Sequence, residues 1–156
     1  MEINIMNKQS LSIISEKYNT DKKSSQHDFV KFYEKYFKDI RETTTSVLEI
    51  GLGGGQATGD SLKMWAEYFP NAVVFGIDIH DYTKFTDESK RIYVSQLDQG
   101  NEEHMHQFLN SAGPFDIIIE DGSHMQHHQQ QNLAWLFPYV KCNGYLVIED
   151  LYFSYY

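Results

Sequence analysis

SVLEIGLGGG (46–55) passes from a strand-like run straight into Gly51, Gly53, Gly54 and Gly55. Glycines at such a junction let the backbone turn tightly and approach a ligand closely. The dinucleotide pattern G-x-G-x-x-G fails, because Gln56 stands where its third glycine belongs. That argues against a nicotinamide oxidoreductase. The pattern that fits is acid-x-G-x-G-x-G, complete from Glu49 to Gly55.

Downstream of this junction, helical stretches alternate with short apolar runs. A helix around Leu62, Trp65 and Phe69 stops at Pro70-Asn71, and AVVFGIDI (72–79) reads as the second strand. RIYVSQL (91–97) reads as the third strand, EEHMHQFLN as a helix, and FDIIIED (115–121) as the fourth strand. QHHQQQNLAWLFPYV then reads as a helix stopped by Asn143-Gly144, ahead of a fifth strand, YLVIED (145–150). Uniformly apolar strands alternating with helices predict an α/β fold, a Rossmann-like, doubly wound parallel sheet covered on both faces. Upstream, residues 1–45 read as a helical segment and 46–156 as the core of the same single domain. Leu11, Ile14 and Tyr18 mark a short helix, and Phe29, Phe32, Tyr33, Tyr36, Phe37 and Ile40 form the apolar stripe of a longer one.

The whole chain has 156 residues, with 13 Lys+Arg against 22 Asp+Glu and a formal charge of −9. That length suits one domain. The charge disfavours nucleic acid or an anionic membrane as partner. No apolar run reaches the roughly 20 residues of a membrane span, and the start MEINIMNKQS lacks the pattern of a signal peptide. A lone Cys142 leaves no internal disulfide. The expectation is a soluble, cytoplasmic domain.

In open parallel sheets, ligands sit beyond the carboxyl ends of the strands. Each predicted strand carries an acid there: Glu49, Asp78, Asp98, Asp121, and the pair Glu149-Asp150. Asp78 is placed to accept both hydroxyls of a ribose, and Asp98-Gln99 lies near the expected adenine edge, where an amide offers donor and acceptor. Asp121, Glu149 and Asp150 are hard oxygen ligands suited to Mg²⁺ or Ca²⁺. Packed together without a cation, they would raise one another's pKa. His124, three residues after Asp121, is placed to take a proton from a hydroxyl held on that metal. His104, His106 and His127 read as surface residues.

The glycine-loop pattern is the first motif of class I S-adenosylmethionine-dependent methyltransferases. Taken with YNTDK (18–22), His27, YFPNAVVFGIDI, DQ (98–99), PFDIIIEDGSH and GYLVIEDLYFSYY, the chain resembles the metal-dependent sugar O-methyltransferases of glycosylated polyketides, such as macrolides. It departs from them at Asn19 and Glu120, where they usually carry glycine and aspartate. The resemblance implies that S-adenosylmethionine is held by Glu49, Gly51, Gly53, Asp78, Asp98 and Gln99, with Tyr18, Thr20 and His27 in a segment folding over it. It implies Mg on Asp121, Glu149 and Asp150, with His124 as the general base. The acceptor is then a small-molecule saccharide. A non-sugar diol or catechol remains an alternative, as does a cofactor-binding subunit without activity.

The resemblance also implies two further strands and a helix after Tyr156, so the chain reads as truncated. That would leave the fifth strand at an edge, with the aromatics of LYFSYY (151–156) beside it, and predicts association between copies there, a partner bound there, or marginal solubility and stability.

Overall fold

Short runs of Val, Ile, Leu and Phe pair as strands here because helices cover both of their faces. The structure, a computed structural model, describes residues 8–23, 25–26, 28–53 and 57–151. His27, Gly54, Gly55 and residues 152–156, which carry parts of the reading above, lie outside the described residues. The strands are β1 (Ser46–Ile50), β2 (Val73–Asp78), β3 (Ile92–Gln96), β4 (Phe115–Glu120) and β5 (Val140–Ile148). They form one parallel sheet in the order β3-β2-β1-β4-β5. The chain proceeds outward from β1 to β3, then crosses back to β4 on the other side. The switch point therefore lies between β1 and β4, where ligands of such sheets bind.

The helices are α1 (Leu11–Ser15), α2 (Phe29–Phe37), α3 (Asp60–Tyr68), α4 (Glu102–Ala112) and α5 (Gln126–Leu136). On one face of the sheet, Leu11, Ile14, Tyr33 and Phe37 pack with Trp65 and Phe69 against Val47, Val74 and Ile117. On the other, Met105, Leu109 and Leu136 cover Leu48, Ile50, Ile77 and Ile118. The helices of residues 1–45 thus share a core with the sheet. Full burial of each such side chain stabilises by roughly 1.5–3 kcal/mol.

Two boundaries differ from the expectation. β5 begins at Val140, ahead of Asn143-Gly144, because Val140 pairs with Phe115 across a register shift. Asn143 then takes a left-handed φ of 64° inside the strand, and α5 stops at Leu136, followed by a 3-10 turn at Phe137–Tyr139. On α2, the buried stripe is Val30, Tyr33 and Phe37, a spacing of three and four. Phe32 and Tyr36 face outward, 67% and 49% exposed.

At the amino end of the sheet, Asp116 ties the strands together. One carboxylate oxygen accepts from the backbone N–H groups of Thr45 (2.8 Å) and Ser46 (2.9 Å) and from Lys141 Nζ (2.9 Å). Burial opposes its charge, but the Thr45 N–H and Lys141 hold its carboxyl below the usual aspartate value.

Candidate active site

The strand ends converge because the backbone knits them. Gly51 N–H donates to Ile77 O (2.9 Å), Asp121 N–H to Ile50 O (2.8 Å), and Glu149 N–H to Glu120 O (2.9 Å). Each acid that follows a strand is thereby set beside its neighbour. Gly51 has a φ of 86°, and a Cβ there would lie 2.0 Å from Asp121 O. Only glycine lets the turns after β1 and β4 touch.

Two cavities of about 360 and 320 Å³ open at these ends and share Asp21, Gly51, Gly53 and Asp121. The first is bordered by Thr20, Lys22, Glu49 and Ser61, the second by Asp78, Leu97, Asp98, His124 and Asp150. Asp78 is fixed by two backbone donors, Leu52 N–H on Oδ2 and His80 N–H on Oδ1, both 2.8 Å. A carboxylate has about four acceptor positions, so it keeps capacity for two more donors. Asp98 Oδ1 accepts from Gly100 N–H at 2.8 Å.

The fourth and fifth strand ends form two groups that share Asp121, one with His124 and Asp150 and one around Lys22. Asp121, His124 and Asp150 each bring one ligand atom within 4.8 Å of the others. His124 Nε2 is 4.0 Å from Asp121 Oδ1 and 3.6 Å from Asp150 Oδ2. His124 and Asp150 hold positive φ of 56° and 53°, and backbone strain of this kind concentrates at functional sites. Glu149 lies apart from this group. Its carboxylate accepts from Tyr33 Oη and meets Lys22 Nζ at 3.0 Å.

Lys22, 1% exposed, ends the YNTDK stretch but had no role of its own assigned from the sequence. Its ammonium also bonds Asp121 Oδ2 and lies 3.6 Å from Glu49 Oε1. Burial opposes its charge, but Glu149, Glu49 and Asp121 keep it protonated above the usual lysine range. One cation among three acids leaves excess negative charge. Burial accordingly pushes Glu49 up to about 7 and Glu149 up to about 8, against the pull of Lys22. Ser61 Oγ also donates to Glu49 at 2.7 Å.

Of the residues expected over the cofactor, Thr20 borders the first cavity. Tyr18 turns away, its hydroxyl donating to Glu67 at 2.7 Å. Gln99 reaches the second cavity, but its amide is engaged at both ends. Oε1 accepts from Ser123 N–H (2.9 Å) and Nε2 donates to Glu120 Oε1 (2.8 Å). A Cβ on Gly122 would sit 1.7 Å from Gln99 Oε1, so Gly122 makes room for this brace.

The mycinamicin VI 2''-O-methyltransferase of Micromonospora griseorubida is 40% identical over 151 residues, 95% of this chain and 37% of that protein. The chain is a relative of the macrolide-sugar O-methyltransferases. L-olivosyl-oleandolide 3-O-methyltransferase of Streptomyces antibioticus is 37% identical over 142 residues, 89% of this chain and 36% of that protein. The MycE methyltransferase of the mycinamycin biosynthetic pathway, solved with Mg and SAH, superposes with a TM-score of 0.88. That match has 39% identity and covers 96% of this chain and 39% of that one. The fold is therefore the Rossmann-like methyltransferase fold. The chain spans a little over a third of the length of the macrolide-sugar enzymes it matches. No family model matches it.

Proposed function

We propose that this chain carries the cofactor and metal sites of a Mg-assisted, S-adenosylmethionine-dependent O-methyltransferase acting on a sugar hydroxyl of a glycosylated small molecule. One observation carries the reading: the Asp78-anchored cavity and the Asp121–His124–Asp150 group share one crevice at the switch point of the sheet. Relatives named for methylating macrolide sugars, and a related structure solved with Mg, SAH and mycinamycin VI, support it.

The residues suit both groups. Gly51 and Gly53 add no side chain to the turn, Leu52 between them is buried in the core, and a Cβ on Gly53 would meet nothing within 4 Å. Asp121 and Asp150 offer hard oxygens on either side of His124. Bound S-adenosylmethionine supplies an activated methyl group, and a bound divalent cation supplies positive charge that acidifies a hydroxyl. Asp78 would orient the nucleoside through its ribose. Glu49, Thr20 and Lys22 border the cavity that would receive the aminoacyl end. With the cation held by the carboxylates, His124 would stay outside the ligand set and accept the hydroxyl proton at Nε2 as the carbon–oxygen bond forms. Glu149 would reach the cation only by exchanging Lys22 for it.

Two finer parts of this reading remain proposals of the same kind. Among the described residues, the outer edge of β5 pairs with no strand, which supports association between copies along it. A stable, monodisperse monomer in light scattering at micromolar concentration would remove that part. A cytoplasmic location accords with the lone Cys142.

Titration with S-adenosylhomocysteine, with and without Mg²⁺, tests the central claim. Binding should persist in EDTA, while methyl transfer to a glycosylated macrolide should need the metal. Absence of S-adenosylhomocysteine binding, or full turnover in EDTA, would overturn the reading.

A further inference from the structure

Gln99 spends one amide hydrogen on Glu120 Oε1 and one Oε1 lone pair on Ser123 N–H. This fixes its amide and leaves it a single N–H and a single lone pair, so a second polar group facing the second cavity would complete the reading of a purine. The cavity wall there also holds Ile79, Leu97, Asp98 and His128. Ile79 is 59% exposed although it directly follows a buried strand. An aliphatic side chain left open beside Leu97 is a surface that a flat ring would cover, with a gain proportional to the area buried.

We propose that His128 is the residue that recognises the purine of the bound nucleoside, an inference that rests on the cofactor reading above. The imidazole stands in the first half of α5, with Nδ1 2.7 Å from Ser123 Oγ. Ser123 is held in turn by Gln99, and Gln99 by Glu120, which is fully buried. The ring therefore hangs from a chain of bonds rooted in the sheet rather than from its own helix alone. Nδ1 is committed to Ser123, which leaves Nε2 as the nitrogen available to a ligand. Depending on tautomer, Nε2 can donate to a ring nitrogen of adenine or accept from its amino group. Gly100 makes room for the ring, since a Cβ there would lie 2.8 Å from Nε2. Gln99 thus acts as a positioning residue for His128.

Calorimetric titration of the whole chain with S-adenosylhomocysteine and with S-inosylhomocysteine provides the test, since the two ligands differ only at the purine edge. The wild-type chain should prefer the adenine ligand. His128→Ala should weaken S-adenosylhomocysteine about tenfold and narrow the preference to within about threefold, the scale of one directional hydrogen bond. Ser123→Ala should move both quantities less, in the same direction, and His104→Ala, at an exposed position of α4, should move neither. If His128→Ala does not fold, Gly100→Ala, which crowds Nε2, carries the same expectation. Loss of affinity alone, with the preference intact, would indicate a structural role and overturn the proposal. Unchanged affinity and preference would overturn it too, while sparing the cofactor reading. A wild-type chain that bound neither ligand would overturn both.

Discussion

Lys22 Nζ lies 3.0 Å from Glu149 Oε1, with both side chains almost wholly buried at the junction of the amino-terminal segment and the sheet. Lys22→Met would leave Glu149, Glu49 and Asp121 without their shared cation. Breaking a buried pair in this way costs about 3–5 kcal/mol, to be measured by urea unfolding. Lys17, which pairs with Glu67 at the surface, should cost no more than about 1 kcal/mol when replaced by alanine. Equal losses from the two variants would show that burial is not what gives Lys22 its weight.

Asp78→Ala removes the acceptor set beside the ribose position. It should weaken S-adenosylhomocysteine binding by about 1.5–3 kcal/mol, the scale for hydrogen bonds to a charged group. Leu52 and His80 lose their side-chain acceptor as well, so a small loss in thermal stability should accompany it. Calorimetry with unchanged affinity would remove Asp78 from the cofactor site.

His124→Ala should lower kcat by roughly 10²–10⁴ with little change in S-adenosylhomocysteine affinity, as expected for loss of a general base. His127→Ala is the control and should leave turnover as it is. Steady-state kinetics that failed to separate the two variants would dissolve the assignment.

Asp116 makes a pH prediction. Its folded pKa lies below the ordinary aspartate value, so the stability it contributes is complete above that value and is lost as pH falls through the lowered one. Asp116→Ala should therefore cost about 1.5–3 kcal/mol at neutral pH and progressively less below about pH 4. Urea melts at several pH values read this directly. A cost independent of pH would mean that the carboxylate charge contributes nothing.

The strands and the acids at their ends were legible because both rest on local signals: apolar runs bounded by turn residues, and carboxylates immediately after them. The sheet was found as expected. What sequence spacing could not convey was the direction in which side chains point. Glu149 and Asp150 are adjacent in sequence, yet one meets Lys22 and the other His124. Lys22 ends the YNTDK stretch that supports the resemblance, yet its role was not legible, because a single lysine in a polar turn has no periodicity to show that it is buried. The inner face of α5 was hidden for a different reason. Its buried positions include Gln129 and Asn132, and Gln129 Nε2 donates to Glu149 O at 3.1 Å, so no apolar stripe marks the face that docks. The early start of β5 depends on pairing with Phe115, a partner 25 residues upstream of Val140.

The contact between Gly51 and the Asp121 carbonyl limits how such a protein can be re-engineered. The turn after β1 and the turn after β4 are fitted to each other's backbone, so a graft that exchanges one of them for a homologous loop brings a mismatched surface to the other. Chimeras meant to change the acceptor should transplant both turns as a unit, or leave both in place.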